Sequence, residues 1–245
     1  MERGLSREIS AKFMSTNYSP LMKIVIIIPA YNEEENIAAM VKSCNLLGYH
    51  TVLVVDDGST DNTARNAREA GAMVVSHIIN RGVGAATQTG LEAATLLDAD
   101  IAVTIDADSQ HKPQDIKKLI DVLIERNSDI VIGSRFLNDQ NNIPLMRNVF
   151  NRIANMITFF LAGIMLTDSQ SGLKAFSRRA LETIKISSNG FEFSSEIIRE
   201  AQHGHLSITE VPVSVVYTPY SLSKGQNLST GLTTVFRLII RTLMR

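Results

Sequence analysis

Two aspartates separated by one alanine, Asp106 and Asp108, follow a short β-branched run. Carboxylate oxygens at this spacing suit Mg²⁺ or Mn²⁺ bound to a diphosphate, and the amide oxygen of Gln110 is a possible third ligand. The spacing alone is weak evidence, because Asp98 and Asp100 repeat it. We expect that second pair at a helix-to-strand turn, at the wrong end of the predicted sheet. The sequence therefore favours a metal site at Asp106 and Asp108.

Polar and charged side chains also follow the other predicted strands. These segments are 29–33 (PAYNE), 56–59 (DDGS), 80–82 (NRG) and 133–136 (GSRF). An acid at 56–57 could accept hydrogen bonds from a nucleobase or ribose, although a helix cap with a tight turn explains the same residues. Residues 80–84 open a predicted helix whose positive end favours an anion. As a dinucleotide fingerprint this segment is weak, because it follows the third strand.

Short β-branched runs alternate with helical stretches through the first half of the chain. The predicted strands are 23–28, 51–55, 73–77, 101–105 and 129–132, and the predicted helices are 33–47, 60–70, 84–97 and 113–125. Apolar strands separated by helices predict an α/β fold, a mostly parallel sheet with helices on both faces. The ligand crevice of such a sheet lies beyond the carboxyl ends of its strands, where the polar segments fall.

The second half has a looser pattern. We predict a helix at 145–161, a polar turn at 167–172, strands at 173–176 and 209–217, and a helix at 194–203. Pro212 places the last strand at an edge of the sheet. The apolar stretch 156–166 is about half of the roughly 20 residues that a transmembrane helix needs, and we expect it in the core. No membrane span and no signal peptide are predicted.

The two ends of the chain are predicted to lie outside the main fold. Residues 1–21 are expected to be a flexible extension, and 22–220 to form the catalytic domain. Residues 221–245 are expected to form a mobile loop and an amphipathic helix with Arg237, Arg241 and Arg245 on one stripe. That pattern suits a helix in a bilayer interface, and equally a helix packed on the core.

The composition is that of an ordinary globular protein. The 245 residues are 44% hydrophobic and 20% charged, which excludes disordered and collagen-like chains. The formal net charge of -1 gives no general attraction to nucleic acid, and no nucleic-acid partner is predicted. Because Cys44 is the single cysteine, no internal disulfide can form, which favours a cytoplasmic compartment.

Several motifs occur in a fixed order between residues 23 and 225. They are IPAYNEEENI (28–37), VVDDGSTDNT (54–63), NRGVGAATQTG (80–90), DADSQH (106–111), GSRF (133–136), DSQSGLKAFSR (168–178) and SKG (223–225). Together they resemble family 2 glycosyltransferases of the GT-A fold. The last two narrow the resemblance to the dolichol-phosphate mannosyltransferase and polyprenyl-phosphate glycosyltransferase branch.

The resemblance implies roles for individual residues. Those expected to bind the nucleotide-sugar are Pro29, Tyr31, Glu33, Asp57 and Asp106, with Arg81 added from its place at the helix opening. Asp106, Asp108 and Gln110 would hold the metal and the diphosphate. Arg135 and Arg147 would face an acceptor phosphate, and Lys224 would close over the donor. Asn151 stands four residues after Arg147, where the mannosyltransferase group often has serine.

The implied activity is inverting, metal-dependent transfer of a sugar from a UDP- or GDP-sugar to a polyprenyl or dolichyl phosphate. A phosphate monoester has a second pKa of about 6, so it is largely ionised at neutral pH and needs cationic positioning rather than a general base. The alternative is a glycan or small-molecule hydroxyl acceptor, for which Glu196 is the candidate base. We expect peripheral attachment at the cytoplasmic face of the membrane, directly or through an anchoring subunit.

Other classes of protein fit less well. An aspartate-nucleophile phosphohydrolase could use 106–108, but it expects an acidic pair near the first strand, where Pro29 and Asn32 stand. A silent nucleotide-sugar-binding subunit is disfavoured by the full set of Asp and Arg residues. Because the chain has no Trp, it cannot contain the QxxRW motif of processive polysaccharide synthases.

Overall fold

The computed structural model describes residues 22–139, 141 and 143–216. The strands are β1 (Ile24–Ala30), β2 (Val52–Asp56), β3 (Met73–Ser76), β4 (Ile101–Thr104), β5 (Ile130–Ser134), β6 (Lys174–Ser177) and β7 (Ile208–Pro212). The α-helices are α1 (Ile37–Leu46), α2 (Thr63–Glu69), α3 (Val83–Leu96), α4 (Ile116–Glu125), α5 (Leu145–Ala162), α6 (Arg178–Thr183) and α7 (Phe193–His203). A single 3₁₀ turn, Pro113–Asp115, precedes α4. The predictions for residues 1–21 and 221–245 lie outside the described residues.

The strands form one mixed sheet in the order β3-β2-β1-β4-β6-β5-β7. The first four neighbours pair in parallel, whereas β6 is antiparallel to both β4 and β5. Thr104 pairs with Lys174 and Ile101 with Ser177, so β6 begins where β4 ends. The start of β6 therefore lies at the same edge of the sheet as the carboxyl ends of the parallel strands.

Helices cover both faces of the sheet, as the apolar strands predicted. Ile26 and Ile28 of β1 belong to the core on one face, and Val25 and Ile27 belong to the core on the other. All four side chains are fully buried. Burial of one such side chain contributes about 1.5–3 kcal/mol, so the alternation fixes the sheet between its two helical layers.

Two loops beside the first strands are held to each other. The predicted helices 33–47 and 60–70 begin later, at Ile37 and Thr63, because their first residues make loop-to-loop contacts instead. The Asn32 main-chain N–H donates to Ser59 Oγ at 2.9 Å, and the Glu33 N–H donates to Thr63 Oγ1 at 2.7 Å. These contacts fix the loops after β1 and β2 relative to each other.

The expectation that residues 156–166 are buried in the core is wrong for most of the stretch, although Leu166 belongs to the core. Met156 is 55% exposed, Phe160 78% and Met165 79%. The inward face of α5 instead carries polar residues, among them the buried Asn151 and Thr158. The apolar side chains turn outward because the inner face borders a cavity and a buried hydroxyl network. Within the described part of the chain, none of the helices combines the length and hydropathy needed to cross a bilayer.

Candidate active site

A cavity of about 440 Å³ opens at the carboxyl edge of the sheet. It brings together nine of the residues singled out in the sequence: Pro29, Tyr31, Glu33, Asp57, Asp106, Asp108, Gln110, Arg135 and Arg147. Arg81 is exposed and is not among the lining residues. Lys224 lies outside the described residues. The cavity therefore gathers side chains from the loops after β1, β2, β4 and β5 and from α5.

The carboxylates of Asp106 and Asp108 form the acidic centre of the cavity. Burial raises the pKa of Asp106 to about 6, with a further contribution from the negative charge of Asp108. Burial also raises the pKa of Asp108. Two carboxylates that resist ionisation in a shared buried site would be stabilised in their charged form by a cation.

The two carboxylates suit a cation whose remaining ligands are waters and substrate phosphates. Among residues 22–216 as described, no group of three or more His, Cys, Asp or Glu side chains could enclose a metal ion. Mg²⁺ is usually held by one or two carboxylates together with waters and substrate phosphates, rather than by a complete protein cage. A pair of carboxylates in an open cavity meets that requirement.

Gln110 connects the acidic centre to a cationic side chain. Its main-chain N–H and Nε2 donate to the Asp108 carboxylate at 3.0 and 2.5 Å. Its Oε1 accepts a hydrogen bond from Nη1 of Arg147 at 3.1 Å. In this arrangement the amide oxygen expected to bind the metal faces Arg147, and Gln110 sets the position of Arg147 relative to Asp108.

A glycine makes room for the first aspartate. A Cβ atom at Gly172 would overlap the carboxylate of Asp106. The carbonyl of Gly172 accepts from Thr104 Oγ1 at 2.9 Å, which holds its loop against the end of β4. The sequence analysis selected residues that follow predicted strands, and it missed Gly172 because this residue precedes one.

Arg135 is held by a buried aspartate. Its Nε and Nη2 donate to the two oxygens of Asp168 at 2.7 and 2.8 Å, and its main-chain N–H donates at 3.0 Å. Asp168 is completely buried. Such a bidentate pair is strong and geometrically fixed. Sequence reasoning gave Arg135 a role toward the acceptor, and the structure shows that Asp168 determines its orientation.

A buried lysine lies behind the acidic centre. Lys174 is 1% exposed, and its ammonium group donates to the carbonyl of Ser171. Burial lowers its pKa to about 8, an effect that the negative charges of Asp168 and Asp106 oppose. This positive charge in turn lowers the pKa of Asp106. Lys174 is therefore a counter-charge for Asp106, and only its place within the 168–178 motif marks it in the sequence.

Asp57 is bound by a histidine that sequence reasoning missed. His77 Nδ1 lies 2.6 Å from Asp57 Oδ1, and His77 Nε2 lies 2.9 Å from Thr89 Oγ1. The main-chain N–H groups of Arg81 and Gly82 donate to Asp57 at 2.9 and 2.7 Å. Asp57 thus shapes the loop at the start of α3 besides lining the cavity. Its predicted role toward a nucleobase stays a prediction.

The start of α3 fits closely against the loop 188–190. Gly82 has a φ of +101°, which strongly favours glycine, and a Cβ there would overlap the carbonyl oxygen of Asn189. The Gly84 N–H donates to the same carbonyl at 2.8 Å. A Cβ at Gly84 would overlap the carbonyl oxygen of Ser188, so both glycines are required where one wall of the cavity meets another.

Glu196 does not line the cavity. Its carboxylate accepts hydrogen bonds from the Ser187 hydroxyl at 2.5 Å and from the Ser188 N–H at 2.8 Å. Arg199 lies 3.4 Å away as an ion-pair partner. These contacts hold the loop 187–188 and support a structural role rather than that of a general base.

The mixed sheet of seven strands with helices on both faces defines an α/β fold of the GT-A type. The family model described as glycosyl transferase family 2 matches residues 25–185, and the chain belongs to that family.

Two curated relatives align over most of the chain. A UDP-N-acetylglucosamine–dolichyl-phosphate N-acetylglucosaminyltransferase of Methanococcus voltae is 40% identical, over 89% of this chain and 95% of the relative. A polyprenol monophosphomannose synthase of Mycolicibacterium smegmatis is 31% identical, over 85% of this chain and 84% of the relative.

A solved structure shares the fold. It is the glucosyl-3-phosphoglycerate synthase of Mycobacterium tuberculosis in complex with Mn²⁺, UDP-glucose and phosphoglyceric acid. The TM-score is 0.71 at 22% identity, with 91% of this chain and 79% of that chain covered. At this level of identity the likeness supports the fold assignment alone.

Proposed function

We propose that this glycosyltransferase transfers a sugar from a nucleotide-sugar to a polyprenyl or dolichyl phosphate, with Mg²⁺ or Mn²⁺ held by Asp106 and Asp108. The observation that carries the proposal is the connection of Asp108 through Gln110 to Arg147 within one cavity. It places a site for a metal-bound diphosphate beside a guanidinium that can bind a second phosphate. The Methanococcus relative makes UDP-N-acetylglucosamine the first donor to test.

The charged groups of the cavity have different proposed roles in the reaction. A bound divalent cation would supply positive charge to the leaving diphosphate, where negative charge accumulates. Asp106 and Asp108 would hold that cation, and Lys174 balances the first of them. Arg147 would orient the acceptor phosphate, whose oxygen needs no base at neutral pH. One in-line displacement at the anomeric carbon would invert its configuration.

The proposed reaction is tested by a matrix of donors and acceptors. UDP-N-acetylglucosamine, UDP-glucose and GDP-mannose are each offered with a polyprenyl phosphate, a free sugar or no acceptor, with Mg²⁺, Mn²⁺ or EDTA. We expect metal-dependent transfer to the polyprenyl phosphate only, with inversion seen by NMR of the product. Transfer to a sugar hydroxyl without transfer to the lipid would favour the alternative acceptor class.

Arg147→Ala is expected to raise the KM for the lipid phosphate by about 10-fold to 100-fold, because a charged hydrogen bond contributes about 1.5–3 kcal/mol. Affinity for UDP, measured by calorimetry with Mg²⁺ present, should change much less. Arg152→Ala is the matched control, since Arg152 is exposed on the same helix and donates to Asn148 at 3.1 Å. Equal losses in lipid and nucleotide affinity would contradict the assignment.

Peripheral attachment at the cytoplasmic face of the membrane is part of the proposal, and the exposed apolar face of α5 supports the attachment itself. The helix carries Arg147 at its first turns and exposes Met156 and Phe160 farther along. An acceptor phosphate that reaches Arg147 from a bilayer would bring this helix close to the lipid surface. The amphipathic segment predicted at 221–245, or an anchoring subunit, could contribute further and stays a prediction.

Phe160→Ser is expected to lower partitioning onto liposomes by about 10-fold or more, because burying a phenylalanine side chain contributes about 1.5–3 kcal/mol. Sedimentation with vesicles containing anionic lipid measures the bound fraction. Leu96→Ser is the control, since Leu96 is 86% exposed at the end of α3, near the opposite edge of the sheet. A wild-type protein that stays in the supernatant at low salt would contradict membrane attachment.

A further inference from the structure

The wall of the cavity beyond the acidic centre is built by α5, the start of β6 and the start of α7. Its lining includes Asn151, Ala154, Gln170, Phe193 and Ser194. The sheet order runs from β2 and β1 through β4 to β6, so the start of β6 lies on the side of Asp106 away from the loops after β1 and β2. A sugar attached to a diphosphate at the acidic centre would extend toward it.

A chain of hydrogen bonds begins at Asn155. Its Nδ2 donates to the Thr167 carbonyl at 2.7 Å, and a carbonyl can only accept, so the orientation of this amide is fixed. Asn155 Oδ1 then accepts from the Ser169 N–H at 2.9 Å and from the Ser169 hydroxyl at 2.8 Å. Because the Ser169 hydroxyl donates its one proton to Asn155, its oxygen can only accept hydrogen bonds from its other neighbours.

A second chain of hydrogen bonds begins at Thr158. Its hydroxyl donates to the Ala154 carbonyl at 2.8 Å. Thr158 Oγ1 also lies 3.3 Å from Ser169 Oγ, which can only accept. We therefore assign the Ser195 hydroxyl, 2.8 Å from Thr158 Oγ1, as the donor of that pair. Ser195 then has no proton left to donate elsewhere, so it also acts only as an acceptor toward Gln170.

Both chains end at the amide of Gln170. Its Nε2 lies 3.0 Å from Ser169 Oγ and 3.1 Å from Ser195 Oγ, and each of these oxygens requires a donor. The NH₂ group is thus fixed toward the protein interior. The opposite atom, Oε1, has no hydrogen bond from the described residues. Gln170 therefore presents a carbonyl oxygen, which can only accept, at the wall of the cavity.

Asn151 adds a second acceptor to the same wall. It is 6% exposed, and its Nδ2 donates to the Thr167 carbonyl at 3.0 Å. Its Oδ1 is buried without a hydrogen-bond partner among the described residues. Carbonyl oxygens repel an ionised phosphate and match a ligand that carries hydrogen-bond donors. This wall therefore suits the transferred sugar better than the acceptor phosphate.

We infer that Gln170 is a specificity-determining residue that accepts a hydrogen bond from the N–H of an acetamido group on the transferred sugar. Ala154 and Phe193 provide apolar surface on the same wall for the acetyl methyl group. An acetamido group combines a donor with a methyl group, as the wall combines an acceptor with apolar side chains. The inference rests on the proposed function and names the class of sugar, a 2-acetamido sugar, within it.

The test measures donor selectivity in Gln170→Met, which keeps the length of the side chain and removes the acceptor. We expect the ratio of kcat/KM for UDP-N-acetylglucosamine to that for UDP-glucose to fall about 10-fold, as expected for loss of one specific hydrogen bond. Calorimetric affinity for UDP should stay within about twofold of wild type, because UDP lacks the sugar. Gln114→Met is the matched control, since Gln114 is exposed outside the cavity.

Ser195→Ala provides an independent variant. It removes one of the two oxygens that orient Gln170 and leaves Gln170 in place, so selectivity should fall in the same direction by a smaller factor. Thermal unfolding of each variant separates a local change from loss of the fold. If Gln170→Met does not fold, the inference is tested by the ratio of kcat/KM for the two donors in Ser195→Ala. An unchanged ratio in folded Ser195→Ala overturns the inference.

The outcomes separate the two levels of the proposal. If no nucleotide-sugar is transferred to polyprenyl phosphate, the proposed function fails and the inference fails with it. If transfer occurs and folded Gln170→Met keeps the wild-type selectivity, the inference alone fails. A wild-type preference for UDP-glucose over UDP-N-acetylglucosamine would also overturn it.

Discussion

Asp108→Asn is expected to lower kcat about a thousandfold, which corresponds to about 4 kcal/mol of lost transition-state stabilisation. Asparagine keeps the shape of the side chain and removes one of the two negative charges proposed to hold the metal. Initial rates with saturating lipid phosphate and a range of Mg²⁺ or Mn²⁺ concentrations measure the loss. Metal-dependent binding of UDP, followed by calorimetry, should weaken in parallel.

The fold should tolerate this substitution. Burial raises the pKa of Asp108, which means that its ionised form is disfavoured in the folded protein when no cation is bound. Removing the charge takes away that penalty, whereas the asparagine oxygen can accept only one of the two hydrogen bonds that Gln110 donates to Asp108. These effects oppose each other, so thermal unfolding in EDTA should occur near the wild-type temperature. A large loss of stability would indicate that the lost activity reflects misfolding.

Asp100→Asn is the matched control for this prediction. Asp100 belongs to the second acidic pair with the same spacing, and it accepts from the Lys23 N–H at 2.8 Å and pairs with Arg178 at 3.1 Å. These contacts lie at the amino ends of β1 and β4, away from the cavity. Its replacement should leave turnover near wild type. Full turnover by Asp108→Asn would refute the metal assignment.

The parts of the fold that local pattern determines were predictable. Apolar β-branched runs gave the strands of the parallel half of the sheet, and Gly48 and Gly71 marked the ends of α1 and α2, where both adopt positive φ. The direction of β6 was not predictable, because four residues between two polar segments carry no signal for parallel or antiparallel pairing. That direction decides which edge of the sheet receives Gln170 and Gly172.

Contacts between distant segments account for most of what sequence reasoning missed at the site. Arg135 was recognised as cationic, but its partner Asp168 lies 33 positions away. His77 was read as the end of a strand, and its position beside Asp57 follows from the pairing of β2 with β3. Spacing along the chain identifies side chains that follow strands, and it does not show which of them the protein itself has already paired.

Gly172→Ala is expected to reduce kcat by about a hundredfold or more while costing little stability. The added Cβ would overlap the Asp106 carboxylate, which lines the cavity and would have to turn into it to make room, away from its present position. Displacement of a metal-holding carboxylate by about 1 Å is sufficient for a loss of that size. The concentration of Mg²⁺ needed for half-maximal rate should rise, which a purely structural defect would not produce.

Gly163→Ala separates this effect from a general loss of stability. Gly163 ends α5 with a φ of +71° and has open space around it, so alanine there strains the backbone without touching the cavity. Such strain costs about 1 kcal/mol, and the melting temperature should fall while kcat and the Mg²⁺ requirement stay near wild type. For Gly172→Ala we expect the reverse, with a lower kcat and a higher Mg²⁺ requirement at a melting temperature near that of wild type. If its Mg²⁺ requirement and kcat match those of wild type, Asp106 has either kept its position or has no part in holding the metal.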